Sequence, residues 1–138
     1  MNYTRLVIAA VAAWVVDAAY GFLVWGQVLN GEFGRYPAVF RAADDQSALP
    51  LMLGGVLVGM LFATWIFAKG RESGSGLMQG ALFGVTMGLF MAAYLSGVNY
   101  GILAIGKKMA LTFAVGSLGE WILVGIVMGL VYKPAAAK

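Results

Sequence analysis

Asp17 and Glu120 are acids placed where a membrane protein can least easily keep them. Asp17 lies near the middle of the first apolar segment and Glu120 near the middle of the last, and no Lys, Arg or His lies within an apolar segment to neutralise either. A charged side chain at bilayer depth costs roughly 2.5–3.5 kcal/mol on insertion scales, so such groups mark proton relays, ion paths or buried pairs. Three chemical states are open to them. They can be protonated and donate hydrogen bonds to carbonyls or to each other. They can share one proton as a coupled pair. They can face a cavity filled with water or cations. A purely structural arrangement stands beside these, with both acids neutral and hydrogen-bonded to Tyr20, Ser117, Thr86 or Tyr94.

Helical spacing places Ala13 and Trp14 one turn before Asp17, and Tyr20 and Gly21 one turn after it. The same spacing places Gly116, Ser117, Leu123 and Val124 around Glu120. Small residues beside both acids predict stripes that face protein rather than lipid. Antiparallel packing of the first and last segments would bring the two acids to similar depth, which predicts burial as a shared pair.

The segments that must position these acids are membrane spans. The chain has 138 residues, 62% hydrophobic and only 11% charged, with a mean hydropathy of +0.87. Soluble domains carry roughly 25% charged residues, so lipid is the natural solvent of this surface. The expected fold class is all-α, an integral membrane bundle of four transmembrane helices forming one domain over residues 1–138. The spans are expected at about 5–29, 48–68, 75–101 and 109–132, each long enough for the roughly 20 helical residues that a hydrocarbon core requires. Arg5 followed by Leu6–Val16 has the layout of a signal-peptide core, but the apolar run continues through Trp25 to about Leu29 and is read as a span. Ser47 is the expected N-cap of the second span, with Pro50 in its first turn and Gly70 as its stop.

The one long connection, loop 30–47, mixes charges with Phe33, Tyr36, Val39 and Phe40. Its Pro37–Asp45 stretch could form a short interfacial helix, and the loop reads either as a solvated connection with aromatic anchors or as a docking surface. Trp25 fits an interfacial aromatic belt, whereas Trp14, Trp65 and Trp121 lie deeper. Arg5, Lys69, Arg71, Lys133 and Lys138 fall on one side of the membrane, and Arg35, Arg41, Lys107 and Lys108 on the other. That imbalance favours both termini in the cytoplasm.

The third span carries a ladder of small residues. Gly76, Gly80, Gly84 and Gly88 recur every four positions, continued by Ala92 and Ser96. One smooth face results, which predicts the closest helix packing of the bundle. Gly55 and Gly59 repeat the spacing in the second span, and Gly125 and Gly129 in the fourth.

Several functions are excluded by composition. With no Cys, thiol chemistry and thiolate metal sites are absent, and with no His, so are imidazole ligands and bases. The net charge of +3 is spread over loops and ends, with no basic block for nucleic acid. Two carboxylates without a base, metal or cofactor motif make a poor active site, so an enzyme is not expected. No metal site is expected, and the cofactor question stays open.

The size and helix count invite comparison with small multidrug transporters, but the residues around Asp17, the second acid Glu120 and the long first loop depart from that family. The polar pore residues of fluoride channels have no counterpart here. Four stretches carry a different likeness: Ala12-Ala13-Trp14 through Asp17, Leu49-Pro50-Leu51-Met52, Gly119-Glu120-Trp121, and Gly129-Leu130-Val131-Tyr132-Lys133-Pro134. In these the chain resembles small uncharacterised bacterial four-helix integral membrane proteins of the domain-of-unknown-function type. The resemblance implies a bacterial inner-membrane bundle and no particular activity. The function expected is a non-catalytic accessory or scaffold subunit packing against a larger membrane complex. The alternative is a small proton- or cation-coupled transporter built on Asp17 and Glu120, working as a homodimer.

Overall fold

The computed structural model describes residues 1–42, 44–72 and 74–134. The protein is an all-helical bundle of four helices long and apolar enough to cross a membrane. The first crossing element is α1, Tyr3–Tyr20, which continues as a π-helical segment, Gly21–Val28. A single turn, α2 (Asn30–Phe33), follows. The remaining spans are α3 (Leu49–Lys69), α4 (Gly76–Ile102) and α5 (Lys107–Val131).

Local chemistry sets most of the ends. The Asn2 side chain accepts the Arg5 N–H and caps α1, and Ser75 does the same for Met78 at the start of α4. Pro50 sits in the first turn of α3, where its missing N–H leaves no gap, and Gly70 closes that helix. Ser47 is not the cap of α3. Ala48 holds that position without a side-chain bond, because Ser47 is turned back into the loop: its N–H donates to Asp45 and its hydroxyl accepts from Arg41. The helix anticipated within Pro37–Asp45 is also absent among the described residues. Tyr36–Phe40 makes successive turns instead, and the helical turn lies earlier, in α2. Ala43 lies outside the described residues.

Around the bundle, α1 packs against both α3 and α5, and α5 packs most extensively against α4. The helices α3 and α4 meet chiefly at one end, where the rings of Phe67 and Phe83 lie 5.4 Å apart. A core of Leu6, Ala9, Ala13, Met60, Ala63, Phe67, Val124, Met128 and Tyr132 fills the half of the bundle near the chain ends. The Trp14 indole N–H donates to the Leu53 carbonyl at 3.0 Å and ties α1 to α3. Large apolar residues point outward, with Leu51 84% and Leu111 65% exposed, an arrangement that suits lipid as the surrounding medium. Lipid removes the usual hydrophobic drive between helices, so close packing must hold the spans together.

That packing is closest where glycines meet. A Cβ on Gly76 would run into the Gly129 carbonyl, one on Gly80 into the Gly125 carbonyl, and one on Gly84 into the Trp121 carbonyl. In the other direction, a Cβ on Gly125 would stand 2.6 Å from the Gly84 Cα, and one on Gly129 would stand 2.8 Å from the Gly80 Cα. Backbone therefore lies on backbone along this seam. Ala92 is half-buried and Ser96 buried farther along α4. The glycines of α3 behave differently: Gly54, Gly55 and Gly59 have no neighbour within 4 Å.

Candidate functional site

Asp17 is carried by α1 and Glu120 by α5, two helices in contact, so the fold brings the two acids to the same seam. They lie within electrostatic reach of each other. Among the described residues no hydrogen bond joins them. Neither is fully enclosed: both are of intermediate exposure, and no charged side chain among the described residues is buried outright. The expectation of full burial inside the chain is therefore corrected. Two aromatic rings pack beside Glu120 without enclosing it.

Those rings are Tyr20 and Trp25. The Tyr20 hydroxyl donates to the Gly116 carbonyl at 2.9 Å, and a Cβ on Gly119 would stand 3.0 Å from that hydroxyl. The far edge of the Trp25 indole lies where a Cβ on Gly116 would be. Trp25 Nε1–H donates to Glu120 Oε1 at 3.4 Å, a long hydrogen bond near the outer limit of useful geometry. Gly116 and Gly119 thus clear room for the two rings on the Glu120 side of α5.

The π-helical segment explains why Trp25 reaches this position. In a continuous α-helix at 3.6 residues per turn, Trp25 would point about 80° around the axis from Asp17. Hydrogen bonds of the i→i+5 type hold more residues per turn and rotate later residues back. The segment ends on such a bond, Leu29 N–H to the Val24 carbonyl at 2.9 Å. Trp25 then comes onto the face that looks at α5. It is a ligand of Glu120 and part of an internal cluster rather than a free belt residue.

The other anticipated partners lie elsewhere. Tyr20 is at the site but spends its proton on Gly116 rather than on an acid. Ser117 is buried, and among the described residues no hydrogen bond joins it to either acid. Thr86 bonds back to the Leu82 carbonyl at 2.9 Å, as hydroxyls on helices commonly do. Tyr94 is exposed and stacks on Phe90, their centroids 5.7 Å apart. Both belong to the outer face of α4.

Loop 30–47 is the part of the site that sequence reasoning missed. Its aromatics fold onto the chain and are half-buried there. Phe33 lies 6.2 Å from Trp25 and 6.1 Å from Phe113, and Phe40 lies 5.0 Å from Phe33 and 6.1 Å from Phe113. Two polar ties hold the loop to the start of α5. Lys108 Nζ meets Glu32 Oε1 at 2.8 Å, and the Gly106 N–H donates to the Tyr36 hydroxyl at 3.1 Å. The bond from Lys108 holds the Glu32 carboxyl below its ordinary range, helped by the charge of Arg35. Farther along, Ser47 and Arg41 hold Asp45 down at about 2. The sequence offered one clue, three loop aromatics spaced to cluster, but not their target on another span.

Chemically, the site can hold a proton on either of two carboxylates within electrostatic reach of each other, steady Glu120 through an indole, and wall it with rings. Comparison with known protein families, with curated proteins and with solved structures finds no match for this chain.

Proposed function

We propose that this chain is a non-catalytic integral membrane protein that acts as an accessory or scaffold subunit, packing against a larger membrane complex. One contrast carries the reading. Glycines in α4 and α5 are pressed against backbone, whereas Gly54, Gly55 and Gly59 of α3 present the same kind of face to nothing within the chain. In lipid, small residues let a second helix approach closely, and van der Waals contact is a main source of association there. The half-open acids support the same reading, since a carboxylate at mid-span is less costly when another protein surface closes over it. The reading sets the bundle in a bacterial inner membrane with both termini in the cytoplasm, on the strength of the Lys and Arg count and the resemblance.

Gentle extraction from native membranes followed by native mass spectrometry tests this. The expected result is a heteromeric assembly that is lost when Gly55 and Gly59 are replaced by Leu. A clean monomer or homodimer from those membranes would overturn the subunit reading.

A second reading rests on the paired acids. Asp17 and Glu120 within electrostatic reach at mid-span, with Trp25 on Glu120, suit a small proton- or cation-coupled transporter. Replacing Asp17 with Asn and Glu120 with Gln should abolish proton-coupled flux into proteoliposomes. Flux retained in that variant would end this reading.

A further inference from the structure

We propose that the loop segment from Glu32 to Phe40 is a plug that closes the Trp25–Glu120 site to water on its own side of the membrane. The two ties to the start of α5 are its latch. The inference concerns access to Glu120 and stands apart from the docking reading.

The order of groups along α5 carries the argument. Lys108 is at the water-facing start of the helix, Phe113 lies about one and a half turns in, and Glu120 about two turns deeper. Phe33 and Phe40 lie against Phe113, and Phe33 also packs on Trp25, whose far ring edge meets Gly116 and whose N–H meets Glu120. Along this face of α5 the rings stand between the water-facing end of the helix and Glu120. Tyr36 backs the layer, its ring 6.3 Å from Phe40.

The plug is built to lift. Its ion pair joins an exposed Lys108, at 69% side-chain exposure, to a half-buried Glu32 at 22%. Ion pairs of this kind hold weakly and compete with water. Release would open the acids to the aqueous phase, and reclosure would dry them.

The chain has no native cysteine, which makes the test clean. The full-length protein with Glu32→Cys and Lys108→Cys is placed in lipid nanodiscs and bridged by a reducible bis-thiosulfonate linker. It is then treated with a water-soluble carbodiimide and glycine methyl ester, and modification of Glu120 is followed by peptide mass spectrometry. The bridged form should label slowly, and cleavage of the linker in the same sample should raise the rate about tenfold, as loss of a weak latch allows. Because one sample is compared before and after cleavage, misfolding cannot produce the change. Adding Phe33→Ala and Phe40→Ala should give fast labelling even in the bridged form. Equal rates before and after cleavage, or slow labelling after removal of the two rings, would overturn the proposal.

Discussion

α5 meets its two main neighbours in opposite ways. Against α4 it offers Gly125 and Gly129, and the two backbones touch. Against α1 it offers Gly116 and Gly119, and the space is filled by the rings of Trp25 and Tyr20. The same residue type removes a Cβ for two different purposes. On one side the missing atom brings main chains together, and nothing there can yield. On the other it makes room for side chains, which can shift, beside two acids that remain half-open. The first seam is a structural weld, and the second has the looseness that a working or docking site requires.

The largest expected effect breaks the weld. Gly80→Ala together with Gly125→Ala would drive each Cβ into backbone of the facing helix. Overpacking of this kind costs about 1–3 kcal/mol per site, so a clear drop in the thermal midpoint in detergent is expected by circular dichroism. An unchanged midpoint would show that the seam is not as close as described.

Gly116→Ala probes the other seam and should cost less, about 1 kcal/mol, because the far end of an indole can move. The cost does not vanish, since Phe33 and Phe113 hold the same ring. The Trp25 indole N–H resonance should shift as its bond to Glu120 lengthens. A loss as large as that at Gly80 and Gly125 would erase the distinction between the seams.

Gly55→Ala and Gly59→Ala sharpen the contrast from the open side. With no neighbour within 4 Å, each should leave the isolated chain unharmed or gain about 0.4–1 kcal/mol by stiffening the helix. The gain is read as a higher thermal midpoint of the purified chain. Destabilisation of the isolated chain would mean that the α3 face is already occupied from within.

The smallest effect is set by pH. The Lys108 bond holds Glu32 below its ordinary value of 4.5, so the tie contributes fully above that pH and is lost as pH falls through the lower folded value. Protection factors of the amides in residues 32–40 should fall under acid, with Arg35 and Lys108 the cations left unpaired. Those of α4 should not change over the same range.

The four spans were readable because apolar runs of this length have one solution in lipid, a helix, and Pro50 and Gly70 mark the ends of α3 by local chemistry. Asp17 and Glu120 were readable as anomalies for the same reason. Their surroundings were less so. Placing Trp25 on Glu120 depends on a π-helical segment, a change of pitch that leaves no periodic trace in residues 21–28. The Phe33–Phe113 and Glu32–Lys108 contacts join residues about 80 positions apart, and nothing local in either stretch announces the other. Ser47 shows the limit of capping rules, since Arg41 and Asp45 outcompeted the helix for it.

Hydrogen–deuterium exchange in lipid nanodiscs tests the contrast between the seams most directly. Amides of residues 80–88 on α4 and 121–129 on α5 should be the best protected in the chain. Those of the π-helical Gly21–Val28 and of α5 residues 113–119 should exchange measurably sooner. Equal protection across both seams, or faster exchange along the glycine seam, would contradict the account.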